Sequence, residues 1–103
     1  MKQGFLTYSS ALVLQAIAIG YRYGFDVMDA TGLPSGTVYP ALRKLERDGF
    51  VKSSWESERK AHRELRPARR NYVITGAGAT ALSEVVKRFR GLDRILTVPA
   101  GVL

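Results

Sequence analysis

The chain has 103 residues, of which 46% are hydrophobic, and it carries a formal net charge of +7. This length and apolar content fit a single domain, residues 1–103, with one modest core that dimerisation would help to stabilise. Because there is no cysteine and only one histidine, His62, the sequence excludes disulfides, thiolate chemistry, cysteine-ligated zinc and multi-histidine metal sites.

The first predicted helix covers about residues 9–20, where Ser9 and Ser10 can cap an apolar run. This run is too short to span a membrane and lacks a signal-peptide cleavage site, so we interpret it as a buried helix of a cytoplasmic protein. Its one polar residue is Gln15, which leaves the helix without a water-facing side. We therefore expect a partner subunit to cover its far face, through Leu12, Leu14 and Ile17.

A helix-turn-helix is predicted next along the chain. A weakly apolar helix at about 24–31 is followed by the tight turn 32–34 and by a second helix at about 35–48. Ser35 stands where an N-cap belongs, and Gly49 stands where a helix ends. Two helices joined by a short glycine-containing turn are typical of DNA-binding modules.

The helix at 35–48 has two different faces. Its apolar face consists of Val38, Ala41, Leu42 and Leu45. Its outer face carries a hydroxyl group, an aromatic ring and three cations, and consists of Gly36, Tyr39, Pro40, Arg43, Lys44 and Arg47. These outer groups suit a helix that reads the DNA major groove. An ordinary amphipathic helix with a solvated charged face would show the same pattern, so this alternative stays open.

Two β-prone runs, at about 50–56 and 71–75, predict a β-hairpin wing. The polar connection between them is long for a hairpin turn, so either the strands extend into it or its tip is mobile. We interpret Trp55 as a strand-packing residue, with a ligand platform as the alternative.

Positive charge is concentrated in the two segments that a winged helix would offer to DNA. Residues 59–70 hold six Lys or Arg against one Glu, a net +5, and residues 35–52 hold four against two, a net +2. Each such cation placed on a phosphate would release counterions and make binding salt-dependent. A generic basic surface, or a loop attracted to anionic lipid, would give a similar count.

A long C-terminal helix is predicted over about 76–96, capped by Thr75. Its apolar stripe consists of Leu82, Val85, Val86, Phe89, Leu92, Ile95 and Leu96. We expect the stripe, through Leu82, Val85, Val86, Phe89 and Leu92, to contact the first helix of a partner subunit. The alternative is a helix that folds back on its own core. The apolar tail 98–103 has no assigned place.

Three segments resemble the PadR family of bacterial transcriptional regulators. Residues 33–51, L-P-S-G-T-V-Y-P-A-L-R-K-L-E-R-D-G-F-V, are similar to the family's L-S-x-G-T-L-Y-P-x-L-x-x-L-E-x-x-G-L-I. Residues 70–78 are similar to R-x-Y-x-[LI]-T-x-x-G, although Asn71 departs from the aromatic residue that many members carry there, and residues 23–27 are similar to Y-G-Y-x-[LIV]. The resemblance implies a mainly α fold with a small β-hairpin (α+β), a winged helix-turn-helix with an N-terminal and a C-terminal dimerisation helix, in the compact subclass without a large C-terminal domain.

We therefore expect a homodimeric, sequence-specific regulator of transcription that binds double-stranded operator DNA, with repression as its mode. The expected DNA contacts from the helix are Ser35, Gly36, Thr37, Tyr39, Pro40, Arg43 and Lys44, and those from the wing are Arg59, Lys60, Arg63, Arg69, Arg70 and Tyr72. The alternatives are a winged-helix adaptor between proteins and a non-specific nucleic-acid-binding module. Family dimers can house aromatic ligands at their interface, so a small-molecule effector, unidentified, is a further partner to test.

An enzyme is not expected, and neither are a cofactor, a metal or a membrane partner. The single histidine lies in a cationic loop, and no nucleophile–base pair is visible. Gly76 and Gly78 open a helix but lack the Lys-Ser/Thr pair of a phosphate-binding loop.

Overall fold

A computed structural model describes residues 6–88, which form five helices and a two-stranded antiparallel sheet of the winged-helix type. The elements in chain order are α1 (Tyr8–Ala18), α2 (Gly24–Thr31), α3 (Ser35–Arg47), β1 (Val51–Trp55), α4 (Glu58–Arg63), β2 (Arg70–Ile74) and α5 (Gly76–Arg88). Among residues 6–88, no helix is long and apolar enough to cross a membrane. Phe89, Leu92 and the tail at 98–103 lie outside the described residues.

Helix α1 is the centre of the core. It packs against α2, α3, α5 and β2, and its residues 10–17 are all buried. Leu12, Leu14 and Ile17 are 7%, 0% and 5% exposed within one subunit. The inference that α1 needs a partner to cover these three side chains is therefore wrong, because they are already buried within their own subunit.

The N-cap residues of α1 and α3 differ from the sequence prediction. The N-cap of α1 is Thr7, whose hydroxyl accepts a hydrogen bond from the Ser10 N–H at 3.1 Å, so Ser9 and Ser10 lie inside the helix. The N-cap of α3 is Pro34, in extended conformation, and Ser35 is already helical. The Pro34 carbonyl accepts bonds from the third and fourth helical N–H groups at 2.9 and 3.0 Å. Since the pyrrolidine ring fixes φ before the helix begins, the cap position falls on the proline.

The end of α3 and the start of α5 are joined by Thr75. Gly49, with φ +81°, ends α3 as the sequence predicts, and the Phe50 N–H returns to the Leu45 carbonyl at 2.9 Å. The Thr75 hydroxyl donates to the Gly49 carbonyl at 2.7 Å and accepts from the Gly78 N–H at 3.0 Å. Thr75 therefore caps α5, as predicted, and fixes it against the helix-turn-helix.

The wing is more structured than the sequence indicates. β1 and β2 pair from Val51↔Ile74 to Trp55↔Arg70. The connection between the strands, predicted as an extended or mobile loop, contains the six-residue helix α4. The hydroxyl of its N-cap, Ser57, accepts from the Lys60 N–H at 3.0 Å. Helix α4 was missed because six residues are too few for a helical period to appear.

Candidate nucleic-acid interface

Helix α3 presents its predicted outer face to solvent. Val38, Leu42 and Leu45 are fully buried and hold the helix on the core. The exposed predicted contacts are Ser35, Gly36, Tyr39, Pro40 and Arg43, whereas Thr37 and Lys44 are half-buried. The helix continues through Pro40 without interruption from residue 35 to residue 47. This face of α3 therefore presents hydroxyl groups at the beginning of the helix and cations near its middle.

The cations on this face are not equivalent. Lys44 Nζ lies 3.3 Å from Asp48 Oδ2, one turn further along α3. Arg43 is exposed and makes no ion pair with another described residue. Arg43 is therefore the cation of α3 most available to a base edge, while Lys44 would have to leave a carboxylate.

Tyr39 leans from α3 onto the first turn of α2. A Cβ atom at Gly24 would overlap its ring at Cε1, Cζ and the hydroxyl oxygen. The absence of a side chain at Gly24 therefore lets the Tyr39 ring lie against the α2 backbone. The Y-G-Y-like segment and the G-T-V-Y-P segment, separate in sequence, meet at this contact.

A cleft of about 160 Å³ opens where α2, α3 and β2 meet. We call it the tyrosine–arginine cleft; it is lined by Tyr23, Gly24, Phe25, Tyr39, Arg69, Arg70 and Tyr72. Burial raises the pKa of Tyr72, so its phenol remains a protonated donor at neutral pH. The N-cap of α2, Tyr23, makes no side-chain cap bond, and the first two residues of α2, Gly24 and Phe25, also line the cleft.

Both arginines of the cleft are held in place by neighbours. The Arg69 guanidinium lies 3.8 Å from the centroid of the Tyr23 ring. Arg70 Nε donates to Ser53 Oγ at 3.0 Å, and its guanidinium lies 5.1 Å from the centroid of the Trp55 ring. Trp55 itself is 64% exposed, so the prediction that it is mainly a strand-packing residue is wrong. Its ring instead makes a cation–π contact with the Arg70 guanidinium.

Ser53 and Arg70 also connect the base of the wing to the end of α3. Ser53 Oγ donates to Glu46 Oε2 at 2.6 Å, and Arg70 Nη2 lies 3.7 Å from that carboxylate oxygen. Sequence reasoning missed Glu46 and Ser53 because their roles depend on pairing across 7 and 17 residues.

The tip of the wing is organised around Glu56, another residue that sequence reasoning missed. Its side chain is 4% exposed and accepts from Arg66 Nη1 and Nη2 at 2.5 and 2.8 Å. The Arg69 N–H donates to Glu56 Oε1 at 3.1 Å, and Lys60 Nζ lies 3.9 Å from Oε2. The hydrogen bonds from Arg66, supported by those from Arg69 against the opposing effect of burial, lower the pKa of Glu56 to about 2.

This clamp changes the charge available on the wing. Arg66, Lys60 and Arg69 are partly neutralised by Glu56. Arg59 and Arg63 are exposed and make no ion pair within residues 6–88. The predicted wing contacts therefore divide into a free pair on α4, an internally paired group, and Arg70 with Tyr72 in the cleft.

An apolar groove of about 560 Å³ runs between α1 and α5. It is lined by Gln15, Ala18, Ile74, Ala79, Leu82, Ser83, Val86 and Lys87. Of the predicted dimer residues, Leu82 and Val85 are 7% and 2% exposed and belong to the core, whereas Val86 is half-buried at the groove.

No three acidic or histidine side chains among residues 6–88 come together in a way that could hold a metal ion.

Comparison with known proteins supports this description. The profile of the transcriptional regulator PadR-like family matches residues 13–84. No curated protein matches the chain. Similar solved structures include a PadR family transcription regulator from Clostridium difficile R20291, with 22% identity, a TM-score of 0.68, and coverage of 86% of this chain and 94% of that one.

Two further solved structures are similar. A PadR-like transcription factor from Bacteroides fragilis has 23% identity, a TM-score of 0.65, and coverage of 82% of each chain. A PadR family transcriptional regulator from Eggerthella lenta DSM 2243 has 23% identity, a TM-score of 0.64, and coverage of 87% of this chain and 82% of that one. At these identities the structures show a common fold.

Proposed function

The chain belongs to the PadR-like family of transcriptional regulators, and we propose that it binds operator DNA sequence-specifically as a homodimer and represses transcription. The observation that carries this proposal is the tyrosine–arginine cleft beside the exposed face of α3. Two guanidinium groups and three tyrosines converge at the junction of α2, α3 and β2. A protein that reads bases with a helix also binds the DNA backbone, so we expect a phosphate-binding site next to that helix.

The cleft suits a DNA phosphate. Arg70 supplies a charged donor, and the hydroxyl groups of Tyr39 and Tyr72 supply neutral donors. The Tyr72 phenol does not ionise near neutral pH, so it does not repel the phosphate. The uncapped start of α2 adds a partial positive charge on the same side. We assign Tyr39 to phosphate recognition rather than to base reading, because its ring lies against Gly24.

Base reading is assigned to α3. Arg43 can donate two hydrogen bonds to a guanine, and the hydroxyl of Thr37 can bond to a base edge or a phosphate. The exposed residues Ser35 and Pro40 have small side chains and Gly36 has none, which allows α3 to approach the groove floor. On the wing, Arg59 and Arg63 are assigned to neighbouring phosphates, while Lys60 and Arg69 chiefly hold the wing.

The groove between α1 and α5 supports the homodimer. Exposed apolar surface of this kind commonly marks an interface. Because Leu12, Leu14, Ile17 and Val85 are already covered by their own subunit, we propose Val86 and the groove around it as the described part of the contact.

Selection of bound fragments from genomic DNA tests the function directly. The purified protein is mixed with sheared genomic DNA at about 0.15 M salt, the ionic strength at which specificity has physiological meaning. We expect recovered fragments to share an inverted repeat, as a two-fold symmetric dimer requires. Recovery of no DNA would favour the protein adaptor, and recovery of all fragments equally would favour the non-specific module.

A further inference from the structure

The tip of the wing carries an exposed leucine on an unusual backbone. Leu65 has φ +57°, and it is the one non-glycine residue with positive φ among residues 6–88. Its side chain is 90% exposed, more than any other large hydrophobic side chain in the described part of the chain. A bulky residue in this conformation is uncommon, because its Cβ approaches the neighbouring carbonyl.

Leu65 occupies the position at which a helix ends, where glycine is the usual residue. The Leu65 N–H donates to the His62 carbonyl at 3.0 Å, and the Arg66 N–H donates to the Ala61 carbonyl at 3.1 Å. These two bonds form the Schellman motif that ends α4. Glycine at this position would give the same backbone without strain, so the leucine side chain lowers local stability.

The segment that carries Leu65 is held by hydrogen bonds and ion pairs. Arg66, the next residue, binds Glu56 through two nitrogens and Glu64 at 2.9 Å. On the other side of the motif, Ala61 is 2% exposed. The leucine therefore projects from a segment whose neighbouring side chains are ion-paired or buried.

Two exposed arginines, Arg59 and Arg63, precede Leu65 along the wing. Arg59 and Arg63 lie four residues apart on α4, on the side away from the buried Ala61, and both are exposed. An isolated leucine beside two arginines is too little apolar surface for a stable protein interface or for membrane anchoring. It matches the minor groove of DNA, which proteins enter with arginines and apolar wedges.

We propose that Leu65 is a minor-groove contact, which the wing inserts between the sugar walls while Arg59 and Arg63 bind the flanking phosphates. This inference rests on the proposed DNA-binding function and adds to it a residue that reads groove shape and the A·T or G·C character of the site.

The test compares Leu65→Gly and Leu65→Asn with the wild type, because both replacements tolerate positive φ and should preserve the fold. Binding is measured by fluorescence anisotropy on a fragment of about 30 base pairs, roughly three helical turns, from the genomic selection, and on a mixed-sequence duplex. Burial of a leucine side chain contributes at least about tenfold to affinity, so we expect both variants to bind at least about tenfold more weakly at each half-site. Thermal unfolding should show that Leu65→Gly is at least as stable as the wild type.

Two comparisons separate this contact from a general effect. The slope of log affinity against log salt should be unchanged in Leu65→Gly, since no phosphate contact is lost, whereas Arg63→Ala should flatten it by about two units, because each of the two subunits loses one contact. Replacing G·C by inosine·C pairs in the segment that a footprint assigns to the wing removes an amino group from the minor groove alone. The wild type should bind the inosine duplex more tightly, and Leu65→Gly should bind both duplexes equally.

Wild-type affinity in both Leu65 variants would overturn the proposal, and so would discrimination between the two duplexes that persists in Leu65→Gly. Either result would leave the proposed function intact. Failure of the wild type to bind any duplex would instead refute the proposed function itself.

Discussion

The substitution Gly24→Ala should weaken DNA binding without unfolding the protein. A methyl group at residue 24 would overlap the Tyr39 ring atoms Cε1, Cζ and Oη. Those atoms form the far end of a side chain that is 38% exposed, so the ring can swing outward at little energetic cost. Alanine also favours the helix by up to about 1 kcal/mol relative to glycine. We therefore expect the free energy of unfolding to stay within about 1 kcal/mol of the wild type.

The effect on binding follows from the bond that the displaced hydroxyl would lose. A hydrogen bond to a charged group contributes about 1.5 to 3 kcal/mol, so the loss at each half-site should be at least about tenfold. Tyr39→Phe removes the same hydroxyl but leaves the ring in place, and it should give a loss of the same size. The double variant should bind no more weakly than either single variant, because both changes remove one contact.

The assay is a double-mutant cycle measured by anisotropy on one operator duplex at fixed salt, with chemical unfolding of each variant as the control. Two results would refute the reasoning. Wild-type affinity in Gly24→Ala would show that the Tyr39 hydroxyl makes no contact in the complex. Losses that add fully in the double variant would show that residue 24 acts on binding by another route.

Three further experiments test the wing and the dimer. Changing Arg59 and Arg63 together to Ala should flatten the slope of log affinity against log salt by about four units, two for each subunit of the dimer, while Arg66→Ala should leave the slope nearly unchanged and lower the melting temperature. Equal slopes for both variants would contradict the division of the wing cations. The pKa of Glu56 is lowered from 4.5 to about 2, so its stabilising effect should be complete above about pH 4.5 and disappear as pH falls towards 2. Acid unfolding should therefore be less steep in Glu56→Gln across that window, and parallel curves would rule out the clamp. Val86→Asp should yield a folded monomer by light scattering, and an unchanged dimer mass would remove the groove from the interface.

Local signals in the sequence were sufficient for the helix-turn-helix. The range of α2 and the end of α3 at Gly49 follow from glycine positions and apolar spacing, and both agree with the structure. The N-cap of α3 was misplaced by one residue because a serine is the better N-cap by side chain, whereas the ring of Pro34 had already fixed the backbone.

Features that depend on distant pairing were not predictable. Nothing in the local sequence distinguishes Glu56 from the other acidic residues, because its partners Arg66 and Arg69 lie 10 and 13 residues away. The contact between Gly24 of α2 and Tyr39 of α3 likewise has no local signal in the sequence. The apolar character of α1 was visible, but periodicity cannot tell a helix that is surrounded by its own subunit from one that is covered by a partner.

Competition binding at about 0.15 M salt, between a selected operator duplex and a mixed-sequence duplex, tests the proposed reading of DNA by α3 most directly. The wild type should prefer the operator by at least about a thousandfold. Arg43→Ala should lose about 1 to 3 kcal/mol of that preference at one or two operator positions, with the fold intact. Equal binding of both duplexes by the wild type, or an unchanged preference in Arg43→Ala at every position, would contradict the assignment of sequence reading to this helix face.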